Sequence, residues 1–220
     1  MSAILPNLLG FTITQGSFHL RLRKVLGQGA YGVVYLAEDI SSSSRKEPSH
    51  YAVKCLLKHP AGSEYARQQA REIAYHLALS HHPNVVTLHC VIEEEFYTFL
   101  VMDYCPGGDL FNTIIERAHF VDNDAAVKNM FLQLLDAVQT AHDLNIYHRD
   151  LKPENILCSA DDEHLYLSDF GLATKSKLSN GFGCGSSFYM SPECIGVFST
   201  KKPYSTASPT SGHWASSSPT

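Results

Sequence analysis

The sequence is short of the features that mark several protein classes. Its 220 residues hold six cysteines, Cys55, Cys90, Cys105, Cys158, Cys184 and Cys194, but no C-x-x-C pair. Neither a zinc ribbon nor a dithiol redox motif is therefore indicated. The opening MSAILPNLLGF has no basic segment ahead of its apolar residues, which argues against a secretory signal and for thiols in a reducing compartment. No apolar run is long enough to span a bilayer, and the stretches at 85–86 and 96–102 are strand-sized at most. Positive charge is not in excess. Seventeen Lys and Arg stand against 22 Asp and Glu, a formal net charge of −5, the wrong balance for a dedicated nucleic-acid binder. The 12 histidines are scattered without ligand spacing, and no segment repeats. These absences predict an intracellular protein with neither a membrane nor a nucleic-acid partner, and they leave its oligomeric state open.

What is present is an ordinary globular composition, 44% hydrophobic and 18% charged, arranged in two styles. Residues 18–27 (FHLRLRKVLG) alternate apolar and charged side chains, as a half-buried strand does, and 33–37 (VVYLA) are apolar and partly β-branched. Residues 41–50 (SSSSRKEPSH) read as a polar insertion in a hairpin, and 51–57 return to strand character. Residues 63–80 lack Gly and Pro and suit a helix. Pro83 then forces extended backbone before strands expected at 85–91 and 97–102. Beyond Pro106-Gly107-Gly108 the pattern becomes helical. Val127, Met130, Phe131, Leu134, Leu135, Val138 and Ala141 recur at three- and four-residue spacing, with Asp122 expected as N-cap and Asn145 as a left-handed stop. Short strands are expected at 156–158 and 165–167. From Ser205 onward, 11 of 16 residues are Ser, Thr or Pro, a composition that cannot pack a core.

Gly27-Gln28-Gly29-Ala30-Tyr31-Gly32 matches G-x-G-x-x-G, a weak signal alone. A dinucleotide-binding turn would require a helix next, whereas 33–37 reads as a strand. A P-loop would require a Lys-Ser/Thr pair after the glycines, and there is none. A Gly-rich hairpin lets backbone N–H groups approach phosphates without obstruction by side chains. Extended to Val34, the stretch is G-x-G-x-x-G-x-V. Ala52-Val53-Lys54 follows on the third expected strand, then His148-Arg149-Asp150-Leu151-Lys152-Pro153-Glu154-Asn155, Asp169-Phe170-Gly171 and Ser191-Pro192-Glu193. An eight-residue HRDLKPEN is far more specific than D-F-G. In this ordered set the chain resembles the eukaryotic protein kinases of Ser/Thr type over residues 20–204. The runs HHPNVVTLH, MDYCPGGDLF and GFGCGSSFYMSPE look most like fungal Ran-like kinases.

That resemblance implies an α+β, protein-kinase-like two-lobe fold with a complete β-rich N-lobe and an incomplete helical C-lobe. Residues 1–17 would be a lead, 18–104 the ATP-binding N-lobe, 105–204 a partial C-lobe and 205–220 a disordered tail. It implies ATP and Mg²⁺ as cofactors and protein substrates with Ser or Thr acceptors. Phosphoryl transfer passes through a loose transition state, so such a site positions groups and neutralises charge. Lys54 would hold the α- and β-phosphates, with Glu72 as its partner in preference to Glu64. Asp169 and Asn155 would hold Mg²⁺ as hard oxygen ligands. Asp150 would accept the proton of the substrate hydroxyl and Lys152 would steady the transferring phosphoryl, with Ser186 linking the two. The glycine-rich turn from Leu26 to Gly32 would cover the phosphates. Backbone groups of Asp103 and Cys105 would bind the purine, with Met102 behind it and Val34, Ala52 and Leu157 on its faces, readings compatible with plain core packing. Asp109 would meet the ribose, and with Glu154 would attract a basic residue of the substrate.

The chain also departs from the family pattern. Arg149 implies a pocket for a phosphate, yet the usual phosphorylated position, three before Gly185, is Phe182; Thr174, Ser176 and Ser179 remain as alternatives. The family's lobe continues beyond Glu193 with further helices and an Arg partner for that glutamate. Residues 209–220 read PTSGHWASSSPT. Shifted by one base, their codons can spell D-V-W-A-L-G-V-I-L, the start of the next family helix, so a frame change near Ser208 is expected. The alternative function is a kinase fragment that binds nucleotide or partners without transferring phosphate.

Overall fold

A computed structural model describes residues 7–29, 32–41, 49–116, 120–179, 183–195 and 203–207. The chain divides into two compact units, Met1–Arg67 with Thr87–Cys105, and Gln68–Val86 with Pro106–Thr220. The expectations for Ala30, Tyr31, Phe182 and residues 208–220 fall outside the described residues.

The first unit is an antiparallel sheet of six strands: β1 (Thr12–Gln15), β2 (Phe18–Gly29), β3 (Gly32–Asp39), β4 (His50–Leu57), β5 (Leu88–Glu93) and β6 (Tyr97–Asp103), in the order β1-β2-β3-β4-β6-β5. Alternation puts Leu20, Leu22, Val33, Tyr35, Ala37, Val53, Cys55, Phe99 and Val101 into one core. Because the period is two, Val34, Ala52 and Lys54 lie on the opposite face. Strand β1 was not expected. It falls in the segment read as a lead, yet Ile13 is 1% exposed and the Leu8 amide donates to Tyr35 Oη at 3.3 Å. Four residues are too few for a readable alternation, but Gly16-Ser17 joins β1 to β2 as a two-residue hairpin loop, with Gly16 at φ 57°.

The second unit takes in most of α1 (Glu64–Leu79), then α2 (Leu110–Glu116) and α3 (Asp124–Asp143). Strands β7 (Gly108–Asp109), β8 (Ile156–Cys158) and β9 (Leu165–Leu167) form a small sheet. Strand β10 (Leu178–Ser179) pairs with β11 (Tyr204–Ser205), and α4 (Pro192–Ile195) lies between them in sequence. Its core joins Leu79 and Val85 to Met130, Leu134, Ala137, Ala141, Ile146, Leu151, Ile156, Leu167 and Phe170. Residues 68–86, inside the segment expected as 18–104, pack here. The strand expected at 85–91 is correspondingly shorter: Val85 bridges Leu167 and the Val86 amide donates to Leu167 O at 3.0 Å, so β5 begins only at Leu88.

Two local expectations at α3 need correction. Its N-cap is Asn123, whose side chain accepts from the Ala126 amide at 3.2 Å, while Asp122 stands outside at φ 54°. Asn145 does stop the helix, at φ 55°. Nor does the apolar stripe form one buried face. Met130, Leu134, Ala137 and Ala141 are buried, whereas Val127, Phe131 and Leu135 are about 40–50% exposed, at 47%, 39% and 42%. Val127 and Phe131 line an apolar groove of about 270 Å³ with Leu110, Ile114, Phe120, Met130, Leu134 and Leu165. No helix among the described residues is long and apolar enough to cross a membrane.

Candidate active site

In the first unit the expected nucleotide residues gather along adjacent strands. Gly27 faces Val34 and Gly29 faces Gly32 across the β2–β3 hairpin, and Val34 faces Lys54 on β4. Leu26, Gly27, Gln28 and Gly29 are exposed, and a Cβ on Gly27 or Gly29 would meet nothing within 4 Å. Gly32 differs. A Cβ there would sit 2.4 Å from the carbonyl oxygen of Cys55, so the close approach of β3 to β4 demands glycine. Ala52 pairs with Met102 and Tyr51 with Asp103, which puts Ala52 beside the segment carrying Asp103 and Cys105. The Asp103 amide donates to Thr87 O at 3.0 Å, so it is not available to a purine. The Asp103 carboxylate lies 2.6 Å from His89 Nε2, and the His89 ring meets Tyr51 edge-on at 5.4 Å. Sequence reading missed His89 because its partner is 14 residues away.

In the second unit the catalytic-loop residues converge on one carboxylate. Asp150 is 7% exposed. Its Oδ1 accepts the Ser186 amide at 2.8 Å, and its Oδ2 accepts Asn155 Nδ2 at 3.1 Å and lies 3.2 Å from Lys152 Nζ. Lys152 Nζ also donates to Ser186 Oγ at 2.7 Å, so the hydroxyl expected between this acid and lysine is in place. Burial alone would push the Asp150 carboxyl up. The hydrogen bonds from Ser186 and the Lys152 ammonium outweigh it and hold the carboxyl below the usual carboxylate value. The group is therefore ionised at neutral pH.

The loop is fixed from beneath by His148 of the catalytic-loop motif and by His76, which no motif contains. His148, 1% exposed, has Nε2 2.9 Å from Ser168 O, and its Nδ1 accepts the Asp150 amide at 3.3 Å. The Phe170 ring stands 5.1 Å from His148 and 5.2 Å from His76, whose Nε2 lies 2.7 Å from Val86 O. His76 is four residues after Glu72, hence on the same helix face, a spacing that could have flagged it. Arg149 takes φ 66° and donates from Nε to Leu172 O at 2.7 Å, so part of the guanidinium expected to greet a phosphate braces the backbone instead.

The acids fall into place around Gly171. Glu72 is 6% exposed, whereas Glu64 sits in an exposed first-turn pair with Arg67 at 3.2 Å. A Cβ on Gly171 would stand 3.3 Å from both Glu72 Oε2 and Asp169 Oδ1, and Gln68 Nε2 donates to Gly171 O at 3.0 Å. Asp169 takes φ 60°. The Ser168 amide donates to Asn155 O at 2.9 Å, which seats Asn155 beside the residue preceding Asp169. Among the described residues no three His, Cys, Asp or Glu side chains cluster as a metal cage. A carboxylate and an amide oxygen are hard-oxygen ligand types of the kind that suit Mg²⁺. Leu157 lies on β8, paired with Asp109 on β7. The Asp109 carboxylate accepts the Asn112 amide at 2.8 Å and so caps α2.

Comparison with known proteins agrees with this assembly. Residues 20–215 match the family model described as the protein kinase domain. The chain is 50% identical over 175 residues to the negative regulator of sexual conjugation and meiosis of Schizosaccharomyces pombe, covering 80% of this chain and 36% of that protein. It is 48% identical over 230 residues to the serine/threonine-protein kinase SKS1 of Saccharomyces cerevisiae, covering 80% of this chain and 44% of that protein. With the serine/threonine-protein kinase ksp1 of Schizosaccharomyces pombe the identity is 38%, over 79% of this chain and 37% of that protein. The chain thus spans about two fifths of the length of these curated relatives. Members of the matched family generally use ATP and Mg²⁺, and this chain belongs to the protein kinase domain family.

Proposed function

We propose that this chain transfers the γ-phosphate of ATP to Ser or Thr hydroxyls of protein substrates. The observation that carries the reading is the Asp150 carboxylate, kept ionised and aimed by the Ser186 amide, Lys152 and Asn155. Asp150 accepts the hydroxyl proton as attack begins, a general-base contribution of about 10²–10⁴-fold. Lys152, shared between Asp150 and Ser186, would offset charge on the phosphoryl oxygens.

Bound Mg²⁺ would supply charge neutralisation at the phosphates. Asp169 and Asn155 would hold it; with Asn155 Nδ2 engaged by Asp150, the amide oxygen would be the end to face a cation. In the first unit, Lys54 would neutralise the α- and β-phosphates, and the turn from Leu26 to Gly32 would cover them with backbone amides. Val34, Ala52 and Leu157 would bound the purine, and the Asp103 carbonyl and Cys105 amide would bind its edge. Glu72, the buried acid of α1, would be the partner of Lys54.

Phosphate incorporation into a basic peptide carrying one serine, against the same peptide with alanine, tests this. Transfer to the serine peptide alone, lowered about 10²–10⁴-fold by Asp150→Asn, is expected. Equal labelling by wild type and Asp150→Asn would refute it. A second reading, nucleotide binding without transfer, draws on the half-exposed Val127, Phe131 and Leu135 of α3, which limit the burial that steadies the second unit. It predicts nucleotide-dependent stabilisation with no labelling of either peptide.

A further inference from the structure

The kinase motifs leave unused a cluster of ionisable groups beside the catalytic loop. The backbone of residues 183 and 184 runs against that of Cys194: the Gly183 amide donates to Cys194 O at 2.9 Å, and Cys194 Sγ donates to Cys184 O at 3.2 Å. Tyr204 Oη lies 3.6 Å from Cys194 Sγ. It is anchored in turn by β11, where Ser179 faces Tyr204 and the Thr206 hydroxyl donates to Ser176 O at 2.6 Å. Cys194 is 1% exposed, whereas Cys184 is partly exposed. None of the six cysteines is in a disulfide.

We propose that Cys184 and Cys194 form a peroxide-oxidised disulfide that controls the hold of residue 186 on Asp150. The partly exposed Cys184 reacts first. Its sulfur takes one oxygen of the peroxide, breaking the O–O bond and releasing water, and becomes a sulfenic acid. The Cys194 sulfur then displaces that hydroxyl; the S–O bond breaks as the S–S bond forms, and the Cys194 proton leaves with the hydroxyl as a second water. Two thiols are oxidised, one peroxide is reduced, and atoms and electrons balance. A disulfide needs Cα atoms roughly 4.4–6.8 Å apart. A sulfur already seated against the partner's own carbonyl leaves little but the Cys184 side chain to rotate.

Three of the other thiols are worse candidates. Cys55 is 1% exposed and burial pushes its thiol up to about 11, and Cys105 and Cys158 are also buried. Burial pushes the Cys184 thiol up too, with the Arg149 guanidinium working the other way and a charge on Cys194 adding to the rise. Oxidation is accordingly slow, and selectivity comes from the resolving thiol next door.

The consequence follows from what lies one residue on. The S–H···O=C bond from Cys194 to Cys184 is lost on oxidation, because the bridged sulfur carries no proton. Gly185, between residues 184 and 186, packs close to the catalytic-loop backbone: a Cβ there would stand 2.6 Å from Arg149 O, at φ 108°. Movement at 184 therefore reaches the Ser186 amide on Asp150.

The bond itself rests on geometry; its effect on transfer rests on the proposed kinase reading, and two readouts keep them apart. The folded full chain is treated with hydrogen peroxide, blocked with an alkylating agent and digested without reductant for mass spectrometry. A peptide linking Cys184 to Cys194 is expected, short of two hydrogens and abolished by dithiothreitol or by Cys194→Ser. In Cys194→Ser, Cys184 should proceed to the sulfinic acid instead. Wild-type transfer to the serine peptide should fall at least tenfold with linkage and return with dithiothreitol. Sulfinic acid at Cys184 without linkage in the wild type, or a link through another cysteine, would overturn the proposal whether or not the chain is an active kinase. Full linkage with unchanged transfer, in a chain that does label the peptide, would overturn the claimed control of Asp150.

Discussion

Gly185 is held close to the backbone of the catalytic loop, and replacing it by alanine separates steric closeness from backbone strain. Its φ of 108° lies where an L side chain costs about 1–3 kcal/mol. The added Cβ would stand 2.6 Å from Arg149 O, a backbone atom that cannot rotate away, and such overpacking costs about 1–3 kcal/mol more. For a chain of this size each kcal/mol lowers Tm by about 2–4 °C, so a fall of at least about 4 °C is expected for Gly185→Ala. Gly183→Ala is the control. It sits at φ 75° with nothing within 4 Å of its Cβ, so it should show backbone strain alone, about 1–2 kcal/mol. The two should separate further in transfer rate. Relief of the clash at 185 draws residues 184–186 outward and lengthens the 2.8 Å bond from the Ser186 amide to Asp150. A hydrogen bond to a charged group contributes about 1.5–3 kcal/mol, so transfer should fall about 10- to 100-fold in Gly185→Ala and little in Gly183→Ala. Thermal melts and peptide labelling read both. Equal Tm values and rates for the two variants would refute the reasoning.

Further predictions follow from the same geometry. The Asp150 carboxyl is held below the ordinary 3.8, so the stability it contributes is fully present above that pH and is lost as pH falls through the lowered value. Melts of wild type and Asp150→Asn against pH should therefore show a wild-type advantage that is flat above pH 4. An advantage fading near pH 5 or 6 would mean that burial dominates instead. Ile13→Ala, on the strand the sequence concealed, should destabilise the chain by about 2–5 kcal/mol in denaturant unfolding; a cost near zero would mean that β1 is not part of the packed sheet.

The parts of this molecule legible in the sequence are those governed by neighbours along the chain. Alternation in residues 18–27 and the strand character of 51–57 reveal β2 and β4, and the unbroken run at 63–80 reveals α1. The wording of residues 148–155 and 169–171 identifies the catalytic loop through family resemblance, and Ser186 joins Asp150 to Lys152 as that resemblance implies. What stayed hidden depends on tertiary contact or on fine competition. Asn123 and Asp122 are equally good cap types, and only the left-handed backbone at 122 decides between them. The spacing of α3 cannot tell Leu134, buried at 1%, from Leu135, exposed at 42%. His76, His89 and Cys194 act through partners 10 or more residues away in sequence, so no local pattern announces them.

The central proposal is that the chain binds ATP with Mg²⁺ and that Lys54 and Asp169 each contribute to that binding. Calorimetric titration of ATP into wild type, Lys54→Met and Asp169→Asn, each with and without Mg²⁺, tests it most directly. Wild type should bind more tightly when Mg²⁺ is present, Asp169→Asn should lose that Mg²⁺ dependence, and Lys54→Met should bind more weakly in either condition. Binding by both variants at wild-type affinity, with or without the metal, would contradict the account.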